Sequence, residues 1–257
     1  MCLILFAYHA HQDYSLILAA NRDEFYHRPT MPLDFWEDEP DILAGRDLEA
    51  RGTWLGISKK GRLAALTNFR DTAPPDRNAP SRGNLVRDFL SGTATASDYL
   101  NQIRTIGNRF NGFNLLVWDK KSLAYYSNRG PEPHIFESGI YGLSTCLLGT
   151  KWPKIMKGKA ELAKILSNGP EISKEALFHV LEDRSCPPDD QLPQSGFDRE
   201  RERMFAPLFI ESEGYGTRCS SIILIKKTGH ATFAERTFMP KKDPPEFRTR
   251  SYEITID

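Results

Sequence analysis

The chain carries no surplus of charge, with 34 Lys and Arg residues against 34 Asp and Glu. No whole-molecule field therefore draws in nucleic acid or an anionic membrane. Cysteine is scarce. Cys2, Cys146, Cys186 and Cys219 lie far apart with no Cys-x-x-Cys pair, which argues against a zinc knuckle or a disulfide framework and fits a reducing compartment. His27, His134, His179 and His230 lack ligand spacing, so no metal site is expected. No apolar run approaches the ~18 residues of a spanning helix. The apolar opening, Cys2 to Tyr8, lacks the basic flank and cleavage site of a signal peptide. Internal repeats and low-complexity linkers are missing too. The expectation is a cytoplasmic protein that meets a small-molecule or acyl ligand, with no nucleic-acid partner and no integral membrane segment; the oligomeric state is left open.

What is present suits one full core. The 257 residues are 40% apolar and 26% charged, the composition of an ordinary globular protein, read here as a single domain over 1–257. Short apolar runs separated by polar turns mark four hairpins. They pair Cys2–Tyr8 with Tyr14–Ala20, Gly52–Ser58 with Arg62–Thr67, Phe113–Trp118 with Leu123–Tyr126, and Ser220–Ile225 with Ala231–Thr237. A first turn near His11 sets Cys2 opposite Ala20 or Asn21, with Asn21-Arg22-Asp23-Glu24 emerging beside the amino terminus. The same arithmetic sets Asn68 opposite Gly52, Asn128 opposite Asn111–Asn114, and Arg218 near Phe238. Four hairpins ending in Asn or Arg are what an active site at a sheet edge needs. Gly52 and Gly56 around Trp54 read as close-packing positions.

Helices are expected in two blocks. Ser81 caps Arg82–Leu90, and Thr95 or Ser97 caps a helix running to Ile106. Leu85, Val86, Phe89 and Leu90 keep helical spacing. The second block is Lys154–Leu166 and, after Asn168-Gly-Pro170, Lys174–Glu182. Pro244-Pro245 precedes a last strand over Arg248–Ile256. Helix pairs between antiparallel hairpins predict an α+β fold, helices on two stacked sheets.

Cys2 carries the chemistry. It follows Met1 directly, and its side chain is small enough for an aminopeptidase to remove that methionine. The mature chain then begins with a thiol and an α-amine on one residue. An α-amine titrates near ~7.7–8.0 and a thiol near ~8.5, so the amine serves as the thiol's own general base. The competing reading is a small buried hydrophobe opening an apolar strand.

Several motifs then make a family. They are Met1-Cys2, Asn21-Arg22-Asp23-Glu24-Phe25-Tyr26 with Arg28-Pro29, Gly45-Arg46-Asp47, and Gly52-Thr53-Trp54-Leu55-Gly56. Leu66-Thr67-Asn68, Ser81-Arg82-Gly83, Tyr141-Gly142-Leu143-Ser144, Trp152-Pro153-Lys154 and Tyr215-Gly216-Thr217-Arg218 complete the set. Together they resemble the transport-and-Golgi-organization family, also called the NRDE family, from residue 1 to about Arg236. That family is similar in turn to N-terminal-nucleophile hydrolases of the penicillin V acylase and bile-salt hydrolase branch. The resemblance implies a four-layer αββα sandwich with Cys2 as nucleophile. It implies Arg22 and Asp23 as the groups orienting thiol and amine, and Asn68 as an oxyanion donor. Asn21, Glu24, Arg218 and Thr145 are expected around the substrate. Two departures stand out. The hydrolases separate their Arg and Asp by two residues, whereas Arg22 and Asp23 are adjacent. Relatives commonly read Gly-Leu-Ser-Asn where this chain has Gly142-Leu-Ser-Thr145, and losing one oxyanion donor costs roughly 10²–10³ in rate.

Two functions follow from the resemblance. One is an N-terminal-cysteine hydrolase or acyltransferase acting on an amide or thioester of a small molecule or lipid. The alternative is a non-catalytic carrier on the same scaffold, in keeping with the family's implied links to lipid homeostasis and haem handling. No resident cofactor is expected. For haem as a ligand, the residues are the Cys186-Pro187 dipeptide and His9 with His11, which share a face if their strand continues. Phe35 and Trp36 either seat an acyl chain or belong to the core.

Overall fold

The computed structural model describes residues 2–239 and 246–256. Met1 and the Pro244-Pro245 pair fall outside them. Thirteen strands and five α-helices among the described residues give the expected α+β class. The strands are β1 Cys2–Tyr8, β2 Tyr14–Phe25, β3 Thr30–Phe35, β4 Ile42–Asp47, β5 Leu55–Ser58, β6 Arg62–Asn68, β7 Phe113–Trp118, β8 Leu123–Ser127, β9 His134–Ile135, β10 Gly139–Leu143, β11 Tyr215–Lys226, β12 His230–Met239 and β13 Glu246–Thr255. The helices are α1 Gly83–Ser91, α2 Ala96–Ile106, α3 Pro153–Ser167, α4 Lys174–Leu181 and α5 Arg199–Phe205. No helix is long and apolar enough to cross a membrane among the described residues.

The strands form two sheets, ordered β10-β1-β2-β11-β12-β13 and β3-β4-β5-β6-β7-β8-β9. The chain divides into two compact units. One gathers Met1–His27, Ser138–Ser144 and Leu148–Glu253, and the other Arg28–Glu137, Thr145–Leu147 and Ile254–Asp257.

In the first unit, α3 packs on β1 and β10 while α4 packs on β2 and β11. The helix side is marked by Asn21, whose amide nitrogen donates to the carbonyls of Leu181 and Leu208 at 2.8 and 2.9 Å. It is marked again by Arg236, which pairs with Glu175 and Glu182 at 2.8 Å each and stacks on Phe178. Side chains alternate along a strand, so Arg22 projects from the other side.

In the second unit, α1 and α2 cover the seven-stranded sheet. Leu85, Val86, Phe89 and Leu90 from α1 meet Leu100 and Ile103 from α2 over Phe113, Leu115 and Val117 of β7. Each large apolar side chain so buried contributes about 1.5–3 kcal/mol before ordering entropy is counted. Trp36 belongs to this cluster, with its indole N–H donating to the Ala44 carbonyl, and with Phe35 it also lines a cavity of this unit. Arg62 is buried under α1 and donates to the carbonyls of Phe89 and Ala94 at 2.7 and 2.6 Å, the first a helix-end acceptor without an intrahelical donor and the second in the connection to α2.

The hairpins form as expected, and the turn at Gly61 sits at φ 73°, a left-handed conformation that glycine alone adopts without strain. Several details differ. Thr95 caps α2, but Ser81 does not cap α1, which starts after Arg82 with no side-chain cap. Strands β3, β4, β9 and β10 and helix α5 were not legible as elements. Strand β1 ends at Tyr8, so His9 and His11 lie in the turn and do not share a strand face. His11 accepts from the Asp13 N–H at 3.1 Å and pairs its other ring nitrogen with the Gly169 carbonyl.

Candidate functional site

Strand β2 runs further than the apolar pattern suggested and carries the whole Asn21–Glu24 tetrad inside the sheet. The hairpin register puts Cys2 directly opposite Arg22, one to two residues beyond the expected pairing. On its other side Arg22 faces Cys219, and Cys219 faces Thr237. Registered neighbours in antiparallel strands share a face. Cys2, Arg22, Cys219 and Thr237 therefore form one row across four strands, on the face away from α3 and α4. Cys2 is 9% exposed and Arg22 4%. The backbone N–H of Asp23 hydrogen-bonds the Cys2 sulfur, and the Ser144 hydroxyl donates to the Cys2 carbonyl at 3.1 Å, fixing the start of β1 against the end of β10.

Adjacency decides what Asp23 can do. One position along the strand from Arg22, its side chain points to the helix side, where it accepts from the Thr217 hydroxyl at 2.7 Å. Thr217 also accepts from the Ile210 N–H at 2.9 Å, and the Tyr215 hydroxyl donates to the Asp23 carbonyl at 3.1 Å. Asn21 is fully engaged on the same side. Besides its two carbonyl acceptors, it accepts from the Ser220 hydroxyl at 2.6 Å, so it anchors the helix layer and its amide is not turned toward a substrate. Glu24 is half-buried opposite Gly216 and accepts from the Phe25 N–H. Arg218 sits at the bulge that interrupts β11 and donates to the Phe25 carbonyl at 2.8 Å.

The electrostatics follow burial. Burial pushes the Cys2 thiol up, against the pull of Arg22 and of the hydrogen bond from Asp23. Cys219 is raised further, by burial and then by Glu235, to which its thiol donates. Asp23 is raised from its ordinary 3.8 by burial, opposed in part by Lys154 and the Thr217 bond. Arg218 is lowered by burial first and by Arg22 next.

A raised carboxyl binds a proton more readily in the folded chain than in the unfolded one. Its contribution to stability is then present below the unfolded value and lost as pH rises through the folded one. Asp23→Asn should therefore gain urea resistance over wild type as pH climbs from 4 to 8, with the two midpoints converging near pH 4. Midpoints that differ by a constant amount across that range would show that Asp23 has no such linkage.

Asn68 and Thr145 belong to the other compact unit. Asn68 pairs with Phe113 at the end of β6, half-buried, and its carboxamide has no hydrogen-bond partner among the described residues. Thr145 is 1% exposed, and its carbonyl accepts from the Arg70 N–H at 2.8 Å. Asn128, expected at the edge of the third hairpin, is spent on main chain. It accepts from Phe113 and donates to Gly107, Phe110 and Asn111. The four hairpins also divide between two sheets, the first and fourth in one and the second and third in the other. Sequence reasoning gave no role to Tyr215, Thr217 or Lys154. Their signal was the Tyr215–Arg218 and Trp152–Lys154 motifs themselves. Cys219 and Glu235 had no signal beyond strand parity.

This geometry sits in a chain whose residues 1–240 match the profile of transport and Golgi organisation 2. The chain belongs to the transport and Golgi organisation 2 family. It is 38% identical to the transport and Golgi organization protein 2 homologue of Bos taurus, covering all of this chain and 99% of that one. The human homologue gives the same identity and coverage. Among solved structures, an orthologue of N-acylethanolamine-hydrolyzing acid amidase from Caenorhabditis elegans matches with a TM-score of 0.52. It shares 11% identity over 87% of this chain and 92% of its own. That likeness shows the fold, which is the N-terminal-nucleophile hydrolase type implied by the motifs.

Proposed function

We propose that this family member is an N-terminal-cysteine hydrolase or acyltransferase acting on an amide or thioester of a small molecule or lipid. One observation carries the reading: Cys2 stands in register with Arg22 while the Asp23 N–H meets its sulfur. A buried cysteine kept only for packing needs neither a guanidinium nor a hydrogen-bond donor beside it. The nematode protein of the same fold is an N-acylethanolamine-hydrolysing amidase, which supports an amide as substrate.

In this reading Met1 is removed and the α-amine of Cys2 takes the thiol proton. The thiolate attacks the acyl carbonyl, the leaving amine or thiol departs with a proton, and a thioester to Cys2 remains. Water or an acceptor amine then releases the acyl group and restores the thiol. Arg22 favours the thiolate by its charge, and the Asp23 N–H holds the sulfur in place.

The raised thiol also supports the second reading, a lipid or haem carrier that has kept the scaffold without the chemistry. Processing separates the two. The intact mass of the protein made in cells should lack one methionine; retention of Met1 in the whole population would leave Cys2 without its general base and favour the carrier.

A further inference from the structure

The Trp152-Pro153-Lys154 motif has no part in the chemistry described above, yet its lysine is placed at a double cost. Lys154 sits in the first turn of α3, where the helix macrodipole disfavours a cation. It is also 4% exposed, and a buried ammonium is unfavourable unless hydrogen bonds or an opposite charge offset it. One offset is the Phe205 carbonyl, which accepts from its Nζ at 2.9 Å. The other comes from the sheet. Phe205 meets Tyr215 edge-on with ring centres 5.8 Å apart, and the Tyr215 hydroxyl donates to the Asp23 carbonyl at 3.1 Å. Helix α3 itself packs on β1, whose Cys2 sulfur accepts from the Asp23 N–H. Lys154 and the Asp23 carboxyl thus share the helix side of the six-stranded sheet. Burial disfavours the Asp23 carboxylate; the amino terminus and then Lys154 favour it.

Few other groups bear on Asp23. Thr217 donates to it at 2.7 Å, and Glu24, next along β2, opposes its ionisation. Arg22 turns to the other face. On α4, the second helix of this side, Glu175 is taken up by Arg236, as is Glu182 just beyond.

We infer that Lys154 is a positioning residue for the reaction proposed above, its ammonium serving as the buried countercharge that keeps Asp23 a carboxylate near the amino terminus. The role rests on that reading for its reaction. An ionised Asp23 steadies the ammonium that forms when the Cys2 amine takes the thiol proton. Lys154 balances that attraction, so the amine is not held protonated before the thiol gives up its proton.

Lys154→Gln keeps an N–H donor for Phe205 and removes the charge. Urea midpoints of wild type, Lys154→Gln, Asp23→Asn and the double variant, read from pH 4 to 8, form a double-mutant cycle. Without Lys154 the folded value of Asp23 moves higher, so more stability is lost as pH rises through it. The midpoint drop caused by Lys154→Gln should therefore widen toward pH 8 in the wild-type background and stay flat with Asn at 23. Lys154→Arg should keep the wild-type profile. Should Lys154→Gln not fold, adding Asp23→Asn should restore folding. In the kinetic arm, the burst of acyl uptake from an activated ester should move its pH midpoint up by about one pH unit in Lys154→Gln, about tenfold slower on the acid side. Equal midpoint drops in both backgrounds at every pH would reduce Lys154 to an anchor of α3 and overturn the inference. So would an unfolded Lys154→Gln that Asp23→Asn does not rescue, or a burst whose pH profile stays unmoved. A wild type with no Cys2-dependent burst would instead take down the hydrolase reading, and the positioning role with it, whatever the urea cycle shows.

Discussion

Cys2→Ala is expected to lose the burst of acyl uptake from an activated ester, while alkylation at Cys186 proceeds at the wild-type rate. Alanine is as acceptable as cysteine after an initiator methionine, so the comparison isolates the sulfur. Because burial raises the thiol, the resting nucleophile is protonated and has to be deprotonated in the reaction. The burst rate should therefore rise with pH through the α-amine range, about 7.7–8.0. A chain with leucine inserted between Met1 and Cys2 keeps the thiol but not its amine, and should lose the factor of about 10²–10⁴ that a positioned base supplies. An equal burst in wild type and Cys2→Ala would falsify the hydrolase reading.

Gly52→Ala should be among the most damaging single methyl additions in the second unit. A Cβ at residue 52 would lie 2.5 Å from the carbonyl carbon of Gly83 and 2.8 Å from its oxygen. Both are backbone atoms at the start of α1, so no rotamer change relieves the clash. Overpacking of this kind costs about 3 kcal/mol, the upper part of its usual range, against a total stability of about 5–15 kcal/mol. For a chain of this size, that lowers Tm by roughly 6–12 °C. Gly130→Ala is the control, since its new methyl would meet only Leu147 and Ser127 at 3.3 Å or more. Equal melting of the two variants would show that α1 shifts freely and that the Gly52–Gly83 contact is not a constraint.

Much of the fold was legible because its signals are local. The turn at Gly61 and the capping residue Thr95 each act within a few residues, and the spacing of Leu85, Val86, Phe89 and Leu90 states its own helix. Strands β3 and β4 were hidden because β3 buries only Leu33 and β4 is buried over Ile42–Gly45 without a period-two alternation. The end of β2 was hidden for the opposite reason. Asn21, Arg22 and Asp23 look like a loop by polarity, yet all three are buried, and the hydrogen bonds of Asn21 and Asp23 go to groups that periodicity does not reveal. The site was half legible. Hairpin arithmetic brought the tetrad to Cys2, but which side each member faces required the register. Lys154, Thr217 and Tyr215 come from distant segments that only the folded chain assembles.

The direct pairing of Cys2 with Arg22 makes the tetrad sensitive to odd and even steps. Insert one residue within β2 between Ala20 and Arg22, and Asn21 or its neighbour takes the place across from the sulfur while the guanidinium turns toward α4. Insert two, and the orientation returns but the charge sits one strand-repeat too far along. Extra residues in the turn at 9–13 leave the pairing untouched. Length variation among functional relatives should therefore collect in that turn and be absent from the stretch that follows it.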